Sequence, residues 1–207
     1  MKNKILALVV LLALAACKSS NNEIVPTDIE PFKQTVVTSD EEAIELGVRF
    51  REECLKNTIG KTLPSITVSD TEGKRHDLSK LITRESIVIA GSNLEGYGKE
   101  EFVSSFPETI RAIEDTPGDF DVFCLIIDSG NPDDNAMLEA ELLPNYRNIY
   151  IISGDEAAKL NVFSNPTKLY LNKEKTVVHY AMGYVIEDQY RQQEAEEGIK
   201  QMFKKRL

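Results

Sequence analysis

Ile87-Val88-Ile89-Ala90-Gly91-Ser92-Asn93-Leu94-Glu95-Gly96-Tyr97-Gly98-Lys99-Glu100-Glu101-Phe102 passes from an unbroken apolar run, through a glycine-punctuated loop, into the start of a helix. An apolar run without alternation is what a strand covered on both faces requires. Beyond the loop, Phe102, Phe106, Ile110 and Ile113 recur on one helical side, with Pro107 inside as a kink or restart. Gly96 and Gly98, flanking Tyr97, suit a turn; the glycine spacing that cradles phosphate is missing.

Working outward, Val122 to Ile127 is a second doubly buried strand, ending at Asp128. Asp133 or Asp134 can cap a short helix through Leu142. Ile149–Ile152 reads as a strand and Asp155–Leu160 as a short helix. Asn165-Pro166 then opens a hairpin, Thr167–Leu171 and Thr176–Met182, turning at Asn172–Lys175 and broken by Gly183. A polar amphipathic helix follows from Glu187 to Lys205. On the N-terminal side, a strand at Ser65–Val68 turns at Asp70–Gly73 into a short partner through His76 and Leu78. Ser39 with Glu42 reads as a capping box, ahead of a helix whose apolar stripe holds Ala43, Ile44, Gly47, Val48, Phe50, Cys54 and Leu55. Buried strands alternating with helices, closed by an antiparallel hairpin and a last helix, predict an α/β fold with one mixed sheet flanked by helices and an N-terminal helical extension.

The first residues carry a different message. Lys2 and Lys4 precede 12 residues, Ile5–Ala16, without a polar side chain. As a helix that run spans about 18 Å, short of a hydrocarbon core of roughly 30 Å, so it is an export signal and not a span. Leu14-Ala15-Ala16-Cys17 resembles the lipobox of bacterial lipoproteins, in which the cysteine is acylated, palmitate among its chains, and becomes the new N-terminus. An ordinary secretory signal with a chance cysteine is the bland alternative. Several acyl chains on one residue anchor a protein stably where one does not. The expected division is a signal peptide over residues 1–16, a lipid-anchored flexible tether over 17–38 interrupted by Pro26 and Pro31, a helical extension over 39–59, and a main domain over 60–207. The expected location is the bacterial envelope, on the outer membrane.

Cleavage leaves 191 of 207 residues and takes the formal charge from −10 to −12 with the loss of Lys2 and Lys4. Such a balance argues against nucleic acid and against direct adhesion to anionic lipid heads. With Cys17 acylated, only Cys54 and Cys124 remain in an oxidising compartment, as one disulfide or as two buried thiols. His76 and His179 are the only histidines, so a zinc site of the usual His/Cys kind is not expected. Asp128, Asp133 and Asp134 lack the ligand spacing of a calcium loop. No metal and no cofactor is expected.

From Gly60 to Leu207 the order of features resembles thioredoxin-fold proteins of the TlpA-like, envelope-anchored type. The resemblance rests on Gly60-Lys61-Thr62-Leu63-Pro64 with the turn Glu72-Gly73-Lys74, on the strand Ile87–Ala90 entering a loop and long helix, on the strand ending at Asp128, and on Pro166 before the hairpin and Gly183. It implies a Cys-x-x-Cys in the loop after the first buried strand, where a helix N-terminus activates the first thiol. Here that loop holds Leu94, Glu95, Gly96, Tyr97 and Gly98, and no cysteine lies between Cys54 and Cys124. The threonine–cysteine pair of peroxiredoxin relatives is missing from it too. The resemblance also implies a cis Pro166 facing the loop, with the backbone of Asn165 pairing with an extended peptide; a proline that only shapes the hairpin entrance is the alternative.

Three functional readings follow. One is a redox-inactive binding module that takes an envelope protein or extended peptide. A second is a thiol–disulfide oxidoreductase or peroxiredoxin-like enzyme using Cys54 or Cys124. A third is a structural component of an envelope assembly, held through the acidic surface and the helix Ser39–Asn57.

Overall fold

The computed structural model describes residues 22–91, 99–128, 130–131, 136, 147–183 and 187–204. Among the described residues seven strands form one mixed sheet: β1 (Thr67–Ser69), β2 (Arg75–Asp77), β3 (Ser86–Gly91), β4 (Asp121–Ile127), β5 (Ile149–Ile152), β6 (Thr167–Leu171) and β7 (Val177–Met182), in the order β2-β1-β5-β4-β3-β6-β7. β3, β4 and β5 are parallel, while β1, β6 and β7 each run antiparallel to a neighbour. The described helices are α1 (Glu30–Lys33), α2 (Asp40–Thr58), α3 (Leu78–Leu81), α4 (Lys99–Glu114), α5 (Gly154–Ala158) and α6 (Asp188–Phe203). The mixed α/β architecture and its N-terminal helix are those the sequence predicts.

The unbroken apolar strands are explained by two cores, one on each face. Every residue of β3 is buried. Val88 and Ala90 join Phe123, Leu125, Leu169 and Leu171 on the face covered by α2, α3 and α5. Ile87 and Ile89 join Cys124, Ile126 and Tyr170 on the face covered by α4 and α6. Alternate residues point to opposite faces, so both sets must be apolar. Gly198 lets α6 approach closely, because a Cβ there would stand 2.5 Å from the Tyr170 ring.

Four expectations need correction. The tether read as free through Thr38 is docked over Asn22–Phe32, and residues 33–38 are exposed. Thr62 N–H donates to the Asn22 carbonyl (2.7 Å), Ile24 N–H to Thr62 (3.0 Å) and Val25 N–H to Asn57 (3.1 Å), and Ile24 and Thr27 are buried. Its backbone groups find partners on the domain, which supplies the stability that its composition lacks. Pro31 opens the short helix α1 in place of preventing one, as its fixed φ allows in a first turn.

Second, the stripe on α2 is only half used. Phe50, Cys54, Leu55 and Thr58 pack onto the core, whereas Ile44 and Val48 stay 67% and 51% exposed. Third, the reciprocal arm of the capping box is displaced by one residue: Ser39 Oγ accepts from Glu42 N–H (3.2 Å), but Glu42 Oε2 accepts from the N–H and hydroxyl of Thr38 (2.7 Å each). β1 also begins two residues later than the apolar pattern implies, since Ser65 Oγ donates to Asp77 (3.0 Å) outside the ladder.

Candidate functional site

β3 ends at Gly91 where β6 begins, Ala90 pairing with Thr167. The residues singled out before the hairpin therefore stand beside the root of the glycine loop. The Asn165–Pro166 bond is cis, and the Pro166 carbonyl accepts from Gly183 N–H (2.9 Å). Thr167, fully buried, donates its hydroxyl to the Ser164 carbonyl (2.9 Å), which fixes the turn that holds the half-buried Asn165 and the buried Pro166. The loop residues Leu94, Glu95, Gly96, Tyr97 and Gly98 lie outside the described residues, as do Cys17, Asp133, Asp134 and the helix expected through Leu142.

The segment leading into Pro166 is held by a residue that pattern reading passes over. Asn161, at φ 56, is fully buried. Its Oδ1 accepts from Thr27 N–H (2.6 Å), and its Nδ2 donates to the Val25 carbonyl (3.0 Å) and to Thr58 Oγ1 (2.8 Å). Tyr180 donates its hydroxyl to the Asn161 carbonyl (2.5 Å). Asn tolerates the left-handed conformation, so one side chain joins the N-terminal strap, the end of α2 and the approach to Pro166. Phe163 adds an edge contact with Phe50, ring centres 5.3 Å apart. A polar residue in a strandless stretch gave no hint of this role.

Behind β6 lies a second feature missed at the level of pattern. Lys168 is 1% exposed, opposite Ile89; its Nζ donates to the Gly183 carbonyl (3.2 Å) and pairs with Glu194 of α6. Burial holds its ammonium below the ordinary lysine value, with the Glu194 carboxylate opposing that shift. Nearby, Arg191 is buried and ion-pairs with Glu108 of α4 (2.8 Å) and with Asp188. His179 packs edge-on against Tyr170 (5.2 Å), and burial pushes its imidazole below its usual range.

The two cysteines are distant from this end in chemistry. Cys54 sits in one core and Cys124 in the other, on opposite faces of the sheet, and both thiols are free and buried. Burial pushes Cys124 up to about 12, reinforced by the charge of Glu114. Burial also raises Cys54, against a hydrogen bond from Thr27. A raised thiol supplies little thiolate at neutral pH. Asp128 accepts from Gly130 N–H (2.9 Å) as a turn, and His76 is engaged with Asp70 (2.7 Å) in the β1–β2 turn. Among the described residues no three His, Cys, Asp or Glu side chains gather as a metal site, and no helix is long and apolar enough to cross a membrane.

Three parallel strands, an antiparallel hairpin entered through a cis proline, and helices on both faces decide the architecture. The fold is thioredoxin-like. Solved structures agree at this level. An Aquifex aeolicus VF5 protein provisionally assigned to electron transfer superposes with a TM-score of 0.54 at 16% identity, covering 70% of this chain and 98% of its own. Arabidopsis thaliana ScoI with copper bound gives 0.50 at 15%, covering 67% and 98%. A Chlorobium tepidum protein provisionally assigned as the thiol:disulfide interchange protein DsbE gives 0.50 at 14%, covering 66% and 94%. At these identities the likeness is one of fold. No family model and no curated protein matches the sequence.

Proposed function

We propose that this chain is a lipid-anchored, thioredoxin-like binding module of the bacterial envelope, without dithiol redox activity, which presents the Asn165–Pro166 end of its sheet to an envelope protein or extended peptide. One observation carries the reading: the chain has no cysteine between Cys54 and Cys124, and those two are buried in separate cores. A dithiol cycle needs two accessible sulfurs within bonding reach, Cα atoms less than ~7 Å apart. What remains at the Pro166 end is a fixed backbone turn, a feature suited to pairing with an extended chain. Cys17 is the proposed attachment point for lipid, as its place after Leu14-Ala15-Ala16 supports.

The test is insulin-disulfide reduction by the purified lipidated protein. Turnover at background level is the expected result. Turnover that disappears in Cys54→Ser or Cys124→Ser would replace this reading with the enzymatic one. The structural reading draws separate support from the uncovered Ile44 and Val48 on α2. It gains ground if Ile44→Ser/Val48→Ser releases an envelope complex while changes at Pro166 do not.

A further inference from the structure

The half of α2 that the domain leaves uncovered has a pattern of its own. Of residues 40–49 only Leu46 is not exposed, while Phe50, Cys54 and Leu55 seat the other half on the core. A helical stretch of that length is marginal in water without a packed face, and Gly47, exposed within it, weakens it further. Glu41, Ile44, Val48, Arg51 and Leu55 follow one another at alternating steps of three and four. At about 100° per residue they share an arc of about 80°, which is the seam of a two-helix coiled coil. Ile44 and Val48 are 67% and 51% exposed, Glu41 and Arg51 are exposed, and Leu55 is half-buried. Among the described residues neither Glu41 nor Arg51 is in an ion pair within its own chain.

Reversed, the seam is complementary to itself. Turned end for end about the level of Leu46, it sets Ile44 against Val48 and Glu41 against Arg51, each twice by symmetry. Val36 and Val37, exposed just ahead of the Ser39 cap, then come to the Leu55 end of the other copy. Laid parallel and in register, the same seam would oppose Glu41 to Glu41 and Arg51 to Arg51. Gly47 flanks the seam, and the space where its Cβ would stand is open, so two backbones can approach there. Glu45 meets its own copy on the other flank, a like-charge contact left in water where salt screens it. Glu42, Arg49 and Glu53 lie on the far side of the helix.

We propose that α2 is a contact between two copies of this chain, paired antiparallel through Glu41, Ile44, Val48, Arg51 and Leu55. The pairing goes beyond the reading of the Pro166 end and does not depend on it. A second copy is the occupant because each group of the seam finds its complement in the same sequence read backwards. From Glu41 to Leu55 the seam is about 21 Å long. One helix face of that length covers less than the ~800 Å² per partner of a standard interface, so the pair is reversible and is seen by chemical trapping.

The experiment treats the full-length protein, expressed in bacterial cells with Gly47→Cys or Glu41→Cys, with a short bifunctional maleimide. The parent chain, whose Cys54 and Cys124 are buried, is the control. Gly47→Cys should give a covalent product of twice the chain mass. Glu41→Cys should give none, because its two copies stand about 15 Å apart along the axis of the antiparallel pair. Glu41→Arg or Arg51→Glu, each added to Gly47→Cys, should cut the product several-fold. Co-expression of those two variants should restore it, since each supplies the opposite charge that the other needs; a variant that fails to fold would not be rescued in this way. No product from Gly47→Cys, equal trapping at Glu41→Cys, or trapping indifferent to the charge reversals overturns the proposal. Products of another mass from Gly47→Cys also overturn it, since a different protein then covers the face.

Discussion

Both faces of the sheet are covered, yet they hold their polar groups differently. On the α2 face the buried polar centre is neutral: Asn161, Thr27 and Thr58 satisfy one another and the strap backbone. On the α4/α6 face it is charged: Lys168 with Glu194, and Arg191 with Glu108. A neutral hub costs little to bury once every bond is made, and it fixes one arrangement. A buried ion pair recovers its desolvation poorly, and removing one partner costs more than removing both. The α2 face should therefore fail through its hub, and the other face should tolerate the loss of a pair better than the loss of one member.

The largest effect is expected from Asn161→Ala. It strips a buried N–H, a carbonyl and a hydroxyl of their partner and places alanine at a left-handed φ, so a loss of about 3 kcal/mol is expected. Denaturant unfolding measures the loss, and limited proteolysis should show earlier cutting between Asn22 and Thr38. An effect confined to the α2 half without loss of global stability would mean that the strap folds independently.

Glu194→Gln should follow at about 2 kcal/mol, below the usual cost of breaking a buried pair because Glu194 is partly exposed and Lys168 can shed its proton. The double variant Lys168→Met/Glu194→Gln should recover most of that loss. A double variant as unstable as Glu194→Gln alone contradicts the contrast between the faces. The pH dependence has a definite sign. Lys168 is held below its unfolded value, so the unfolded chain binds the extra proton between the two values, and stability contributed by this site rises with pH across that window. Lys168→Met should remove that rise relative to the parent.

Gly198→Ala should cost about 1–2 kcal/mol, the overlap with the Tyr170 ring outweighing the better helix propensity of alanine. An increase in stability would mean that α6 can shift off the sheet. The smallest effect concerns His179. Its imidazole is held below its ordinary range, so the unfolded chain takes up a proton first as pH falls through the unfolded value of about 6.5, and stability is lost there. His179→Gln should flatten that limb by less than about 1 kcal/mol.

How much of this was legible in the sequence depends on the kind of signal. β3 and β4 were plain because strands covered on both faces spell unbroken apolar runs, and β6 by its place in the hairpin after Pro166. The end of α2 was plain from the helical spacing of its apolar stripe, though nothing in that spacing told that Ile44 and Val48 would lie beyond the covered part. The strap was illegible because it docks through backbone groups and single small residues such as Ile24 and Thr27, which have no period. Lys168 and Arg191 were illegible because a charged residue in a strand or polar helix reads as a solvent-facing one; only α6 closing over β6 brings Glu194 and Glu108 to them. Pro166 was marked by its place before the hairpin, whereas Asn161 became visible only through the four groups that converge on it.

The role proposed for the Asn165–Pro166 end is to meet polypeptide without thiol chemistry. Its most direct test is site-specific photo-crosslinking in intact envelopes, with the reactive residue at Ser164 or at Lys173 of the lipidated protein. Discrete protein adducts from Ser164, lost in competition with unlabelled domain and absent from Lys173, are the expected result. Protein adducts of the same masses from both positions, or adducts from Ser164 that vanish on reduction of disulfides alone, would contradict it.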